Sequence, residues 1–138
     1  MLNKYAKNMN EYKTNEILTA TPEKLMIMLY DAAIQFLFKA RKAVNENNHA
    51  ETCTNVIGCQ KILREFMKTI NIDSGVDVGK ELFVFYDSLV RKLYKVNRNK
   101  DLQVLEEVIE HLKVLRKAFL EAIEISSKEK AENQQLID

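Results

Sequence analysis

The chain has 138 residues, which is enough for one domain with its own hydrophobic core. Hydrophobic residues make up 46% and charged residues 30%, and a net charge of +1 gives no indication of a nucleic acid or an anionic membrane as a partner. No apolar run reaches the roughly 18 residues that cross a bilayer, and the first residues lack the apolar segment of a signal peptide. We therefore expect a cytoplasmic (cytosolic) protein without membrane insertion.

A polar arm followed by a long helix is predicted at the N-terminus. Residues 1–20 are rich in Lys and Asn, a composition typical of a flexible arm rather than a packed element. Thr21 is a good N-cap, and Pro22 suits the first helical position because the N–H that it lacks would have no partner there. The apolar periodicity continues to about Val44 and stops in the Asn-rich turn 45–48.

Three further helices are predicted by the hydrophobic periodicity. We expect them over 50–70, over 78–96, and from an N-cap at Asp101 to the start of a polar tail over 126–138. Because the connecting loops are short, the predicted fold is all-α, an antiparallel up-down four-helix bundle over residues 21–125. The predicted core stripes are Val56, Cys59, Leu63, Phe66 and Ile70 in the second helix, Leu82, Tyr86, Leu89, Leu93 and Val96 in the third, and Leu105, Val108, Ile109, Leu112, Leu115, Phe119 and Ile123 in the fourth.

Two helices carry more apolar surface than one core face requires. In the first helix one face is predicted to hold Leu25, Leu29, Ala32, Phe36 and Ala43, and the nearly opposite face to hold Ile27, Ile34 and Phe38. In the third helix a second line is formed by Phe83, Val90 and Tyr94. This surplus is explained either by a thick core that the arm and loops cover, or by an external groove for a partner's amphipathic helix. Gly58 is predicted to lie opposite the core stripe of the second helix, at a cost of up to ~1 kcal/mol relative to Ala.

Catalytic and metal-binding motifs are weak or missing in the sequence. There is no Gly-rich phosphate loop, no Gly-x-Ser-x-Gly and no Cys-x-x-Cys. Cys53 and Cys59 are too far apart along one predicted helix to form a disulfide, and we interpret them as reduced apolar fillers. Glu46 and His49 form a single Glu-x-x-His, whereas di-iron bundles need two such pairs. We therefore expect no enzyme, no cofactor and no metal, and we keep a metal-binding bundle and a structural homodimer as alternatives.

The segment Tyr12–Leu37 resembles the N-terminal signature of the flagellar secretion chaperones, the FliS family. The residues that carry this resemblance are Tyr12, Asn15, Ile17, Thr19-Ala20-Thr21-Pro22, Lys24-Leu25, Met28-Leu29-Tyr30-Asp31, Ala33-Ile34 and Phe36-Leu37. Three later blocks also agree with the family pattern, at Asn55–Phe66, Phe85–Asn97 and Leu112–Ala122. The chain departs from that pattern at Gly58 and Cys59, where a basic residue and an alanine are usual.

The resemblance implies a non-enzymatic cytoplasmic protein that binds newly made flagellin. It implies that the disordered C-terminal segment of flagellin is held in apolar grooves, so that premature polymerisation is prevented and flagellar type III secretion is aided. An export-gate protein would be a second partner, and we expect a monomer or weak dimer. The arm would form a movable N-terminal cap with Tyr12, Ile17 and Leu18. The client-binding groove would draw on Ile57 and Gln60, to which the periodicity adds Phe83, Val90 and Tyr94.

Overall fold

Four long helices make up most of the part of the chain that the structure describes, which is an all-α four-helix bundle as the sequence predicted. The computed structural model describes residues 15, 16, 18–70 and 77–137, and these ranges contain no strand. The helices are α1 (Pro22–Asn45), α2 (His49–Thr69), α3 (Asp77–Asn99) and α4 (Leu102–Ile137).

Side-chain caps start three of the four helices, and two of them are the predicted caps. The hydrogen bonds run from Lys24 N to Thr21 Oγ1 at 3.2 Å, from Glu51 N to Asn48 Oδ1 at 3.1 Å, and from Val104 N to Asp101 Oδ1 at 3.2 Å. Each cap gives a partner to one backbone N–H that the first helical turn leaves free. In the loops before α2 and α4, Asn47 and Lys100 adopt positive φ angles of 56° and 55°. The local sequence signals at Thr21 and Asp101 therefore place the starts of α1 and α4 correctly.

Neighbouring helices run antiparallel, as their side-chain contacts show. From one contact to the next, the residue number rises on one helix and falls on the helix that it contacts. The contacts are Arg41 with Glu106, Phe38 with Lys113 and Tyr30 with Phe119 between α1 and α4, and Gln60 with Val90 and Phe66 with Tyr86 between α2 and α3. This agrees with the predicted antiparallel topology.

The chain divides into two compact units, and the larger one is Asp31–Leu115. Its core follows the predicted stripes of α2, α3 and α4, with the exception of Ile70, Leu82 and Leu115, which are half-buried. The largest fully buried side chains of this unit include Leu37, Ile62, Leu63, Phe66, Leu89, Leu93, Leu105, Ile109 and Leu112. The other unit is formed by Met1–Tyr30 and Arg116–Asp138. Within it the buried ring of Tyr30 packs against Phe119 with ring centroids 6.2 Å apart.

The core face of α1 lies between the two apolar faces that the sequence predicted. Its buried residues are Tyr30, Ala33, Ile34, Leu37, Ala40 and Ala43. Phe36 from the first predicted face and Phe38 from the second are both half-buried and flank this line. The two predicted faces rested on the apolar residues alone. The exposed side of α1 is marked by a line of polar residues, Lys24, Asp31, Gln35, Lys39 and Lys42, and the buried line lies opposite them.

Helix α4 extends much further than its apolar stripe predicted. The sequence indicated a polar tail from Ser126, and the segment is indeed exposed, with every side chain from Glu124 to Leu136 in solvent. The helix nevertheless continues to Ile137. The segment contains neither Gly nor Pro and is rich in Glu, Lys and Gln, which are good helix formers.

Gly58 lies under an aromatic ring and does not face open solvent, which corrects the sequence-based placement. A Cβ atom added to Gly58 would lie 2.8 Å from the Cε1 and Cζ atoms of Phe36 on α1. Real Cβ atoms essentially never approach other atoms this closely. The missing side chain therefore allows the Phe36 ring to approach the backbone of α2, an approach that only glycine permits.

We expect Gly58→Ala to destabilise the protein by about 1 kcal/mol. Alanine improves helix propensity by up to ~1 kcal/mol, but overpacking against the Phe36 ring costs ~1–3 kcal/mol. Urea unfolding followed by circular dichroism measures the difference. In a Phe36→Leu background, which relieves the overlap, the same glycine substitution should be neutral or stabilising. An equal effect in both backgrounds would contradict the proposed contact.

Candidate functional site

The five residues predicted to form a groove lie on facing sides of α2 and α3. Ile57 and Gln60 belong to α2, whereas Phe83, Val90 and Tyr94 belong to α3. The two helices are joined here by a hydrogen bond from Gln60 Nε2 to the backbone oxygen of Val90, at 3.1 Å. We call these five residues, together with Arg64 of α2, the α2–α3 surface.

Two members of the α2–α3 surface are buried and form its floor. Gln60 is 2% exposed and Val90 is 5% exposed. Burying an amide is costly unless it finds a partner, and the hydrogen bond to the Val90 oxygen supplies one. Beside Gln60, burial raises the pKa of the Cys59 thiol, so this cysteine is a neutral apolar filler, as predicted. Cys53 is exposed, so the same prediction was wrong for it. The floor is therefore tied to the bundle interior and does not itself offer side chains to a partner.

Three apolar members of the α2–α3 surface remain accessible beside this floor. Ile57 is 39% exposed and Tyr94 is 52% exposed, and Phe83 is half-buried. An exposed isoleucine and an exposed tyrosine on adjacent helices are the kind of apolar surface that binds a partner. The periodicity placed all five residues on one side of the bundle, but it did not separate the floor from the accessible rim.

Arg64 connects the two rims of the α2–α3 surface, and the sequence analysis did not single it out. Its Nη2 group donates a hydrogen bond to the Tyr94 hydroxyl, and its Cζ atom lies 5.9 Å from the centroid of the Tyr94 ring. Seven residues separate Ile57 from Arg64, a spacing that places both on one line of α2. That spacing was the available sequence signal.

The predicted N-terminal cap is described only in part. Tyr12 and Ile17 lie outside the described residues, whereas Leu18 is 63% exposed. Asn15, Glu16, Leu18 and Thr19 are helical, and the Thr19 hydroxyl donates to the Asn15 backbone oxygen at 2.9 Å. Glu16 also pairs with Lys24 of α1 at 3.8 Å. The end of the arm is thus linked to the first turn of α1.

Other exposed apolar side chains lie away from the α2–α3 surface. Val84 of α3 and Val114 of α4 are each 65% exposed. Phe85, which follows Val84, and His111, three positions before Val114, pack edge to face with ring centroids 5.3 Å apart. The sequence analysis missed both valines because neither belongs to an apolar stripe.

Neither a metal centre nor a membrane span is found in the part of the chain that the structure describes. No three or more His, Cys, Asp or Glu side chains converge there in a way that would hold a metal ion. None of the described helices combines the length and the apolarity that crossing a bilayer requires. Chemically, the α2–α3 surface is an apolar surface that carries one cationic member, Arg64.

Comparison with known proteins identifies the family. The family model described as "Flagellar protein FliS" matches residues 5–126. The flagellar secretion chaperone FliS of Bacillus subtilis is 29% identical over 119 residues, which cover 86% of this chain and 88% of the relative. Those of Vibrio cholerae and Escherichia coli are 25% and 21% identical, covering 76% and 78% of this chain and 77% and 79% of the relatives. Because the family match spans most of the chain, this protein belongs to the FliS family of flagellar secretion chaperones, which are not enzymes.

Proposed function

We propose that this protein binds the disordered C-terminal segment of flagellin in the cytosol and holds it on the α2–α3 surface. Bound in this way, the segment cannot enter a premature filament and the subunit stays competent for flagellar type III secretion. The observation that carries the proposal is the pair of exposed apolar side chains, Ile57 and Tyr94, beside a buried and hydrogen-bonded floor. The family membership supports the same role.

The accessible side chains are sufficient to order a disordered client segment. Burying one large apolar side chain contributes ~1.5–3 kcal/mol, and the two partners each bury several. Coupled folding costs the client at least ~2–5 kcal/mol. Ile57, Phe83 and Tyr94, each matched by an apolar side chain of an amphipathic client helix, therefore leave a net favourable free energy.

The N-terminal arm and a second partner complete the proposed cycle. Tyr12, Ile17 and Leu18 act as a cap that covers apolar surface until the client displaces it, and the high exposure of Leu18 fits a cap that is easily moved. The export-gate protein of the flagellar secretion system then receives the loaded chaperone, which acts as a monomer or weak dimer. The arm is joined to α1 through Glu16 and Lys24, so displacing it leaves the bundle itself intact.

Mixing the protein with a peptide of the cognate flagellin C-terminus should increase helicity beyond the sum of the separate spectra. The increase arises because a disordered segment folds as its apolar face is buried. Circular dichroism detects the gained helix, and titration calorimetry gives the affinity and a negative heat-capacity change. A peptide of the same composition in scrambled order is the matched control. Equal behaviour of the cognate and scrambled peptides would overturn the proposed function.

A further inference from the structure

Arg64, the charged member of the α2–α3 surface, has an uncharged partner. Its guanidinium donates to the Tyr94 hydroxyl and lies near the Tyr94 ring. A guanidinium carries five N–H donors, and its strongest partner is a carboxylate bound through two parallel hydrogen bonds. The phenol therefore uses only part of the binding capacity of Arg64.

The carboxylates closest to Arg64 and Tyr94 along α2 and α3 are already engaged by other cations. Glu65 pairs with Lys68 at 2.9 Å, and Asp87 pairs with Arg91 at 2.8 Å. Both ion pairs form within a single helix. The positive charge of Arg64, placed beside exposed apolar side chains, is thus complementary to an anionic group that a partner brings.

We propose that Arg64 is a specificity-determining residue that selects client helices carrying a carboxylate; this inference rests on the proposed function. Ile57 and Arg64 are about two helical turns apart, or about 10.5 Å along α2. A client helix that lies along α2 contacts both residues when its apolar anchor and its carboxylate are also about two turns apart. That carboxylate, from an Asp or Glu side chain or from the client's C-terminus, replaces the Tyr94 hydroxyl as the partner of Arg64.

The test compares the affinities of Arg64 variants of the full chain for a fluorescent peptide of the cognate flagellin C-terminus. Arg64→Gln should weaken binding about fivefold, which is the upper end of the contribution of an exposed ion pair. Arg64→Lys should retain part of the affinity, because lysine keeps the positive charge but lacks the planar guanidinium that binds a carboxylate through two hydrogen bonds. Raising NaCl from about 50 to about 500 mM should weaken the wild type more than Arg64→Gln. Lys113→Gln is the matched control, since it removes one positive charge from α4 beside Phe38.

The source of the carboxylate is found with modified peptides. Each Asp or Glu is replaced by its amide, and a separate peptide carries an amidated C-terminus. Arg64→Gln should have no effect on the one peptide that lacks the required carboxylate. Equal affinities of the wild type and Arg64→Gln for the unmodified peptide, or equal losses for Arg64→Gln and Lys113→Gln, would overturn the inference alone. Failure of the wild type to bind that peptide would overturn the proposed function and this inference with it.

Discussion

Ile57→Asp is expected to weaken binding of the flagellin C-terminal peptide by about 30-fold, equivalent to ~2 kcal/mol. In the free protein this side chain is 39% exposed, so the new carboxylate remains hydrated and the bundle stays folded. In the complex the carboxylate has to leave water next to the apolar face of the client, and the burial of the isoleucine is lost. Titration calorimetry measures the affinity, and circular dichroism checks the fold.

Val114→Asp is the matched control for this substitution. Val114 is an apolar residue with 65% exposure, but it belongs to α4 and not to the α2–α3 surface. It should leave client affinity within about twofold of the wild type, as expected for an exposed position outside the binding surface. Equal losses for both variants would mean that net negative charge, and not the α2–α3 surface, controls binding.

Phe66→Ala should lower the free energy of unfolding by ~3–5 kcal/mol, the cost of removing a fully buried aromatic side chain. Phe66 is 1% exposed and its ring lies 5.5 Å from that of Tyr86, so it fills the space between α2 and α3. A loss of this size is a large part of the stability of a typical domain. Urea unfolding of both proteins gives the difference, provided that the slopes of the two transitions agree.

Phe85→Ala provides the comparison for this effect. Phe85 is half-buried and packs edge to face on His111, so less apolar area is lost and the cavity stays open to water. We expect a loss of only ~1–2 kcal/mol. Comparable losses for the two phenylalanines would show that the interface between α2 and α3 is not the main site of core packing in the larger unit.

Helix starts and most core positions could be predicted because they depend on local chemistry, whereas the end of α4 could not. Thr21 and Asp101 cap their helices through hydrogen bonds to backbone N–H groups three residues later, so a short segment is enough to predict them. The core stripes of α2, α3 and α4 could be identified from the sequence because each of these helices has polar residues on its remaining faces. In α1 the local signal was the exposed polar line of Asp31, Gln35, Lys39 and Lys42 opposite the core face, which the grouping of apolar residues alone did not use. The approach of Phe36 to Gly58 is likewise a tertiary contact that no local pattern indicates.

For the candidate site, the sequence predicted only the side of the bundle on which it lies. Periodicity reports which side of a helix a residue occupies, but depth depends on how closely the next helix approaches. Gln60 and Val90 therefore came out in the same set as Ile57 and Tyr94, although the first two are buried. Arg64 remained unnoticed because a charged residue on a helix surface is common, and only its contact with Tyr94 gives it a distinctive position.

The hydrogen bond between Gln60 and the Val90 backbone has a consequence for how a client is released. Because that contact helps to fix the spacing of α2 and α3 without any client, these two helices have little conformational freedom left to lose on binding. On the proposed function, the loss of disorder falls almost wholly on flagellin. On the same proposal, releasing the client at the export gate restores disorder in the client, while α2 and α3 keep their spacing for the next subunit.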